Sequence, residues 1–425
     1  MKIICSPSEK YLNKKSNADL RVFIYGHTKN RNFATCGDSI RRYFKKKKIN
    51  LKEDAWDFLS FAISVVACDL GATRKLSPDG WTRHIELEIA VNNPDKWNRE
   101  KNLIEQLLRF LSTDIWQVKF IKGGFKDSIE ESGSKSDASC VSLISGGLDS
   151  LIGAIDLVNI NEKPLFISQI VHGDRQKQSD FVAALKKPFE HIQINHSFRS
   201  PLPLEPSQRA RSIIFLSYGI VAATLLKKYE NGKEITLYVC ENGLISLNPA
   251  LTEARIGSLS TRTTHPYFLE MLRELVKNLG FNINIENPYQ FKTKGEMLSS
   301  CKDQFLLRKL AHKSTSCGRF TRNAFTHCGR CIPCLIRRAS FVKWGNRDST
   351  TYKYKNLRLN DPQHAGFDDV RSAVLAIQSI QNRGFSAWFG SASSVLPEND
   401  RPQLRSVVER GMKELQLLLN KFKLC

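Results

Sequence analysis

Residues 145–150 read Ser-Gly-Gly-Leu-Asp-Ser and stand between two apolar runs. Val141 to Ile144 has the pattern of a short buried strand, and Leu151 to Val158 supplies the apolar face of a helix. Strand, glycine turn and helix together make an anion cradle. Glycines let the backbone approach a phosphate closely, and the first N–H groups of the new helix point at it unpaired. The Ser145 and Ser150 hydroxyls and the amides of Gly146 and Gly147 can bind phosphate oxygens, while Asp149 can hold a divalent cation that neutralises them. The turn lacks GxxxxGK[ST] and GxGxxG, so the two commonest nucleotide loops are excluded.

A second group of residues has metal-ligand spacing. Cys317, Cys328, Cys331 and Cys334 follow C-x10-C-x2-C-x2-C and account for four of the eleven cysteines. Four thiolates fill a tetrahedral zinc site and leave no open position, as in structural centres. An iron–sulfur cluster is the alternative for C-x2-C-x2-C. The other seven cysteines read as small core residues. Such crowding in a long chain without a signal-peptide pattern leads us to expect a reducing, cytoplasmic setting.

The elements that must position these residues follow from periodicity. Segments 164–172, 191–196, 235–240 and 281–288 read as strands separated by helical stretches, which predicts a parallel sheet covered by helices on both faces. Ligands of such sheets sit beyond the carboxyl ends of the strands, where the 145–150 turn lies. Upstream, "HIELEIAV" (84–91) alternates as a half-buried strand, and "EDAWDFLSFAISVVACDL" and "REKNLIEQLLRFL" have helical spacing. We expect an α+β domain over 1–120, a Gly/Ser-rich linker over 121–139, a sheet domain over 140–345 containing the cysteine segment 317–334, and a helical extension over 346–425. Within the extension, Asp400 is the expected N-cap and Pro402 lies in the first turn of a helix whose Leu404, Val407, Val408, Leu415 and Leu418 share one face. That face could serve a homodimer.

The chain has 425 residues, 41% hydrophobic and 25% charged, which is a globular balance, and a formal charge of +22. Such excess points to an acidic partner: nucleotide, nucleic acid or an acidic protein. The most apolar stretch, 212–226, is shorter than the roughly 18–20 residues a membrane span needs.

The six-residue turn resembles the PP-loop of the ATP-pyrophosphatase superfamily, which has the adenine-nucleotide alpha-hydrolase-like fold. Its members bind the terminal phosphates of ATP and release them together as pyrophosphate, leaving AMP on an oxygen of the substrate. The turn combined with "SC…HCGRCIPCLIRRASF" is similar to the 7-cyano-7-deazaguanine synthase (QueC) family over roughly residues 139–345. The resemblance implies ATP and Mg2+ at Ser145, Gly146, Gly147, Leu148, Asp149 and Ser150, with His172 of "VHGDRQ" beside them, and structural Zn2+ on the four cysteines. "NPYQFKTKGEML" (287–298) corresponds to a family segment that places Lys294 near the phosphates. Glu241 and Asn242 of "ENGLISLNPA" fall at the substrate.

Arg209 and Arg211 in "SQRARS" are candidates to stabilise charge moving onto pyrophosphate, an ordinary helix-start surface being the alternative. "STRTTHPYFLEML" (260–272) replaces the family's YPDCRPEF-like segment, so Arg262, Thr264 and His265 occupy the expected substrate loop. His265, before Pro266, also reads as a helix cap. The family converts 7-carboxy-7-deazaguanine to an amide and then a nitrile. Greater length and the changed loop bring the chain closer to QueC-like proteins of bacterial anti-phage defence operons such as Qat. There the attacking amine can belong to a partner protein. The alternatives are a PP-loop enzyme modifying a tRNA or DNA base, favoured by charge, and a nucleotide-binding scaffold, disfavoured by the intact turn.

Overall fold

Among the described residues, ten strands form where the sequence places β-branched and apolar residues in short runs. The computed structural model describes residues 1–127, 135–170, 173–206, 209–252, 262–358, 368–393 and 395–425. Strands β1 (Lys2–Ser6), β2 (Leu20–Ile24), β3 (Ala34–Cys36), β4 (His84–Val91) and β5 (Ile115–Lys122) form one sheet in the order β3-β2-β1-β4-β5. Strands β6 (Cys140–Leu143), β7 (Pro164–Gln169), β8 (His191–Ile194), β9 (Ile235–Tyr238) and β10 (Ile283–Glu286) form a second in the order β10-β9-β6-β7-β8. Every pairing is parallel. Each sheet therefore starts at its central strand, winds outward one way, returns, and winds outward the other. The connection returns beside β1 in the first sheet and beside β6 in the second.

The first sheet corrects the α+β expectation, because its strands are parallel and joined through helices. The alternation that suggested a half-buried strand is real: β4 buries Ile85, Leu87 and Ile89 and turns Glu86 to solvent. It reports one bare sheet face, which parallel strands also tolerate here at β4 and β5. The expected linker is only partly one. Phe125 packs 4.7 Å from Trp56 and 4.8 Å from Tyr25, and Ser136 bridges to Leu226, while residues 128–134 lie outside those described.

The two sheets share one hydrophobic cluster, which runs from Ile3 to Ile285. Its centre is the helix Glu53–Gly71, buried on nearly every side and packed against the helix Arg211–Ala223 of the second sheet. Phe58 and Phe281 meet edge to face at 5.5 Å across the two halves. Burying such a ring contributes about 1.5–3 kcal/mol. The two buried aspartates inside this helix are paired, as buried charged groups must be. Asp57 accepts from Asn92 and Asn93, and Asp69 accepts from Arg83 at 2.7 Å and from the Ala210 amide at 2.8 Å.

The helices Ile332–Trp344, Asp368–Arg383, Phe385–Ser393 and Arg401–Lys421 close a separate apolar cluster. Pro402 sits in the first turn of the last helix, but Asp400 makes no side-chain capping bond, its backbone already being helical at φ −94°, ψ −11°. Among the described residues no helix is long and apolar enough to cross a membrane. The 212–226 stretch is instead the buried helix packed between the sheets.

Candidate functional site

The turn after β6 lies at the carboxyl end of the central strand, next to the carboxyl end of β9 where the winding reverses. Open parallel sheets place their ligand crevice there. Gly146 has φ +85°, a left-handed conformation that side chains disfavour, so the first glycine of the pair is required by the backbone. Ser150 Oγ accepts from the Ser145 amide at 3.2 Å and donates to the Gly147 carbonyl at 3.1 Å; it also lies 3.2 Å from Ser145 Oγ. The helix Leu148–Asn159 begins directly after Gly147 without a side-chain cap, leaving its first amides for another acceptor.

Asp149 is the most heavily engaged residue of the site. Lys294 Nζ donates to its Oδ1 at 2.6 Å, and its Oδ2 accepts from Asn242 Nδ2 at 2.6 Å and the Asn242 amide at 3.1 Å. Burial works against its charge, but the Lys294 ammonium, with hydrogen bonds from Glu241, Lys294 and Asn242, outweighs burial and lowers its pKa. Glu241 stands beside it. Burial first, then the Asp149 charge, raise the Glu241 pKa well above the usual carboxylate range. The pair is thus one carboxylate favoured in its charged form next to one carboxyl whose ionisation is disfavoured.

Two cavities meet at this point. One of about 230 Å³ is lined by Ser145, Gly147, Leu148, Asp149, Ser150, Glu241 and Lys294, closed on the far side by Thr315, Ser316 and Pro333. The other, about 360 Å³, has an apolar wall of Leu143, Phe215, Leu216 and Val239. Its polar groups include Gln169, Asp174, Arg211, Ser212, Thr263 and Thr264. Ser145, Ser150, Cys240 and Glu241 line both. The first has the hydroxyls, amides and ammonium that suit phosphate. The second has an apolar wall with a few placed polar groups, as small-molecule sites do.

The four cysteines are buried, unbridged, and have sulfurs within 4.8 Å of one another. The Cys317–Cys331 and Cys328–Cys334 sulfurs lie 3.8 and 3.9 Å apart. A tetrahedron with Zn–S bonds of about 2.3 Å has edges of about 3.8 Å, so the arrangement fits zinc. Amides of Cys328 and Arg319 donate to Cys317 Sγ, and those of Cys331 and Arg330 to Cys328 Sγ, which stabilises thiolate. The centre anchors the segment whose Thr315 amide donates to the Gly146 carbonyl at 2.9 Å. Arg337 fastens the same segment through Ser314, Ser316 and Thr350.

Several expected site residues are placed elsewhere. Arg209 faces the first sheet: its Nη1 donates to the Ser112 carbonyl at 2.5 Å and to Thr113 Oγ1, and its guanidinium lies 5.3 Å over Trp81. It lines neither cavity, whereas Arg211, two residues on and inside the helix, lines the larger one. Two residues are over half a helical turn, enough to aim the pair oppositely. Arg262 stacks at 4.7 Å on Phe110 and donates to its carbonyl, away from the cavities. His265 caps the helix Pro266–Asn278, its Nδ1 accepting from the Tyr267 amide, and burial followed by Arg262 takes its pKa down to about 4. Of that loop Thr264 reaches the larger cavity, with Thr263. His172, and residues 260 and 261 of the loop, lie outside those described.

Sequence reasoning missed Thr315, Ser316, Gln169, Ser212 and Phe215. The first two carry a usable signal, preceding Cys317 directly; the others are ordinary strand-end and helix residues. No protein-family model matches the chain, and no curated protein matches its sequence.

Proposed function

We propose that the chain is a PP-loop, QueC-like enzyme of bacterial anti-phage defence that acts in the cytoplasm. It adenylates a 7-deazaguanine carboxylate with ATP and passes the acyl group to an amine of ammonia or of a partner protein. The observation that carries this reading is the Ser-Gly-Gly-Leu-Asp-Ser turn at the reversal point of a parallel sheet, with Lys294 2.6 Å from Asp149. Two adjoining cavities, one suited to phosphate and one to a flat ring, support it further.

In the proposed reaction a carboxylate oxygen attacks the α-phosphorus. The new O–P bond forms as the bond to the β-phosphate oxygen breaks, and pyrophosphate leaves. The amine nitrogen then bonds to the acyl carbon, AMP leaves with the oxygen, and the nitrogen loses its proton. Carboxylate oxygen alone is a poor leaving group, which is why adenylation precedes transfer. Ser145, Ser150 and the first amides of the helix Leu148–Asn159 would bind the departing phosphates, and Lys294 would stabilise charge growing on them. Asp149 would hold Mg2+, which supplies charge neutralisation when bound. A carboxylate kept ionised despite burial is a suitable ligand for it. Arg211 and Gln169 line the larger cavity and would bind the acid and its ring edge.

The test is release of AMP and pyrophosphate from ATP with and without 7-carboxy-7-deazaguanine. Stimulated release that disappears in Asp149→Ala is expected. Release of ADP and phosphate, or none with this acid, overturns the proposal. Intact-mass measurement of candidate partner proteins then separates a protein amine from ammonia.

A further inference from the structure

The helix Arg401–Lys421 touches three of the elements that furnish the smaller cavity. Gly411 packs against Leu244 and Val407 against Gly243, in the short helix Gly243–Leu247 that follows Glu241 and Asn242. The helix also lies along Ile332–Trp344, which begins at the zinc-ligating Cys331. Its third contact is with the turn that carries Lys294, and there the contact is polar.

Glu414 is 6% exposed and sits on the otherwise apolar face of this helix. It accepts from Thr293 Oγ1 and, through its second oxygen, from the Gly295 amide at 3.2 Å. These are the two residues flanking Lys294. A side chain on Gly295 would collide with that carboxylate, a Cβ there falling 2.5 Å from Glu414 Oε1. Thr293 also closes a capping box with Glu296, and Glu296 is gripped at 2.6 Å by Arg410, one turn before Glu414. Two charged residues of one helix thus hold the cap Thr293 and the positions Gly295 and Glu296, on both sides of Lys294. A buried carboxylate is costly unless such donors repay it. An apolar residue would have served packing at lower cost.

The geometry points to Glu414 as a positioning residue that aims the Lys294 ammonium at Asp149 and the phosphate-binding cavity. It acts through the Thr293–Gly295 backbone and touches no ligand itself. What the aimed ammonium does in catalysis rests on the ATP-dependent reading above; the aiming itself does not. The C-terminal helix is therefore part of the site's construction rather than an appended bundle.

The experiment compares Glu414→Leu, Glu414→Gln and Met412→Ala in the full zinc-loaded chain. Met412 is buried in the same helix and bonds to nothing polar at the turn, so its truncation loosens packing alone. The first readout needs no nucleotide: the rate of Lys294 acetylation by acetic anhydride, followed by peptide mass spectrometry. Glu414→Leu is expected to raise that rate at least about tenfold by populating an opened turn. Met412→Ala should change it less than about twofold even where its melting point falls as far, since additivity holds for unshared partners. Glu414→Gln keeps one acceptor and should fall between. The second readout is AMP formation, where Glu414→Leu should lower kcat with little change in KM for ATP, and add nothing in a Lys294→Ala background. Equal labelling in Glu414→Leu and wild type, or equal gains in Glu414→Leu and Met412→Ala, overturns the assignment. A wild-type chain that forms no AMP refutes the enzymatic reading and leaves the labelling result to decide the positioning.

Discussion

Replacing Lys294 by Met should destabilise the folded chain by about 3–5 kcal/mol, the usual cost of leaving one member of a buried ion pair alone. At 2.6 Å and an effective dielectric of 20, the attraction to Asp149 is about 6 kcal/mol. Both ions are almost fully buried, and each has lost several kcal/mol of hydration, so the intact pair contributes little net. Deleting the lysine removes the attraction and leaves the Asp149 desolvation uncompensated, beside a second carboxyl. Asp149→Asn is expected to cost less, about 1–3 kcal/mol, because Glu241 can surrender its proton and pair with the ammonium. The double variant should then be cheaper than the sum of the singles by at least about 2 kcal/mol. Urea unfolding followed by tryptophan fluorescence and circular dichroism measures all three, provided the two probes coincide. Single variants within about 0.5 kcal/mol of wild type, or additivity to that margin, would refute the coupled-pair reasoning.

Three further outcomes follow from the geometry. Glu241→Gln should gain stability relative to wild type as pH rises above about 4.5: the folded state holds the Glu241 proton more tightly than the unfolded chain, so wild type loses stability from the ordinary pKa up to the raised one. A difference in melting temperature that stays constant from pH 5 to pH 8 would contradict this. Arg209→Ala should cost about 2–4 kcal/mol through its lost bonds to Ser112 and Thr113 and the contact with Trp81, while Arg211→Ala should change stability by less than about 1 kcal/mol and weaken binding of an anionic ligand; the reverse ranking would misplace the pair. Stripping metal from the four cysteines should raise hydrogen exchange across residues 314–317 and 327–331 while β6 and β9 stay protected, and purified protein without bound zinc would contradict the fit of the centre.

Much of the second sheet was legible because strand runs and helix faces alternate there with clear periods, and β7 to β10 fall where those runs lie. The glycine turn and the cysteine quartet were legible for a different reason: local spacing alone dictates a tight turn or a tetrahedral set. Positions fixed by distant partners were not. Lys294 meets Asp149 across 145 residues of chain; the family resemblance of residues 287–298 brought it near the turn, but no local pattern announces the ion pair itself. Arg209 and Arg211 look interchangeable in sequence, yet one end of a helix separates them into a joint between sheets and a cavity wall. The helix Glu53–Gly71 looked like one partner of a small domain, whereas it is the shared centre of two sheets, its buried Asp57 and Asp69 satisfied from outside the helix. Glu414 had a faint signature. It falls three residues after Gly411 on the face shared by Val407, Leu415 and Leu418, where an acidic residue is out of place unless something donates to it.

The central claim is that a carboxylate oxygen of a small acid is joined to AMP before an amine displaces it. A single turnover with 7-carboxy-7-deazaguanine labelled with oxygen-18 in both carboxyl oxygens, in the presence of ATP and an amine, tests it most directly. The account predicts AMP carrying one labelled oxygen, with none formed by Asp149→Ala. Unlabelled AMP, or cleavage to ADP and phosphate, would contradict it.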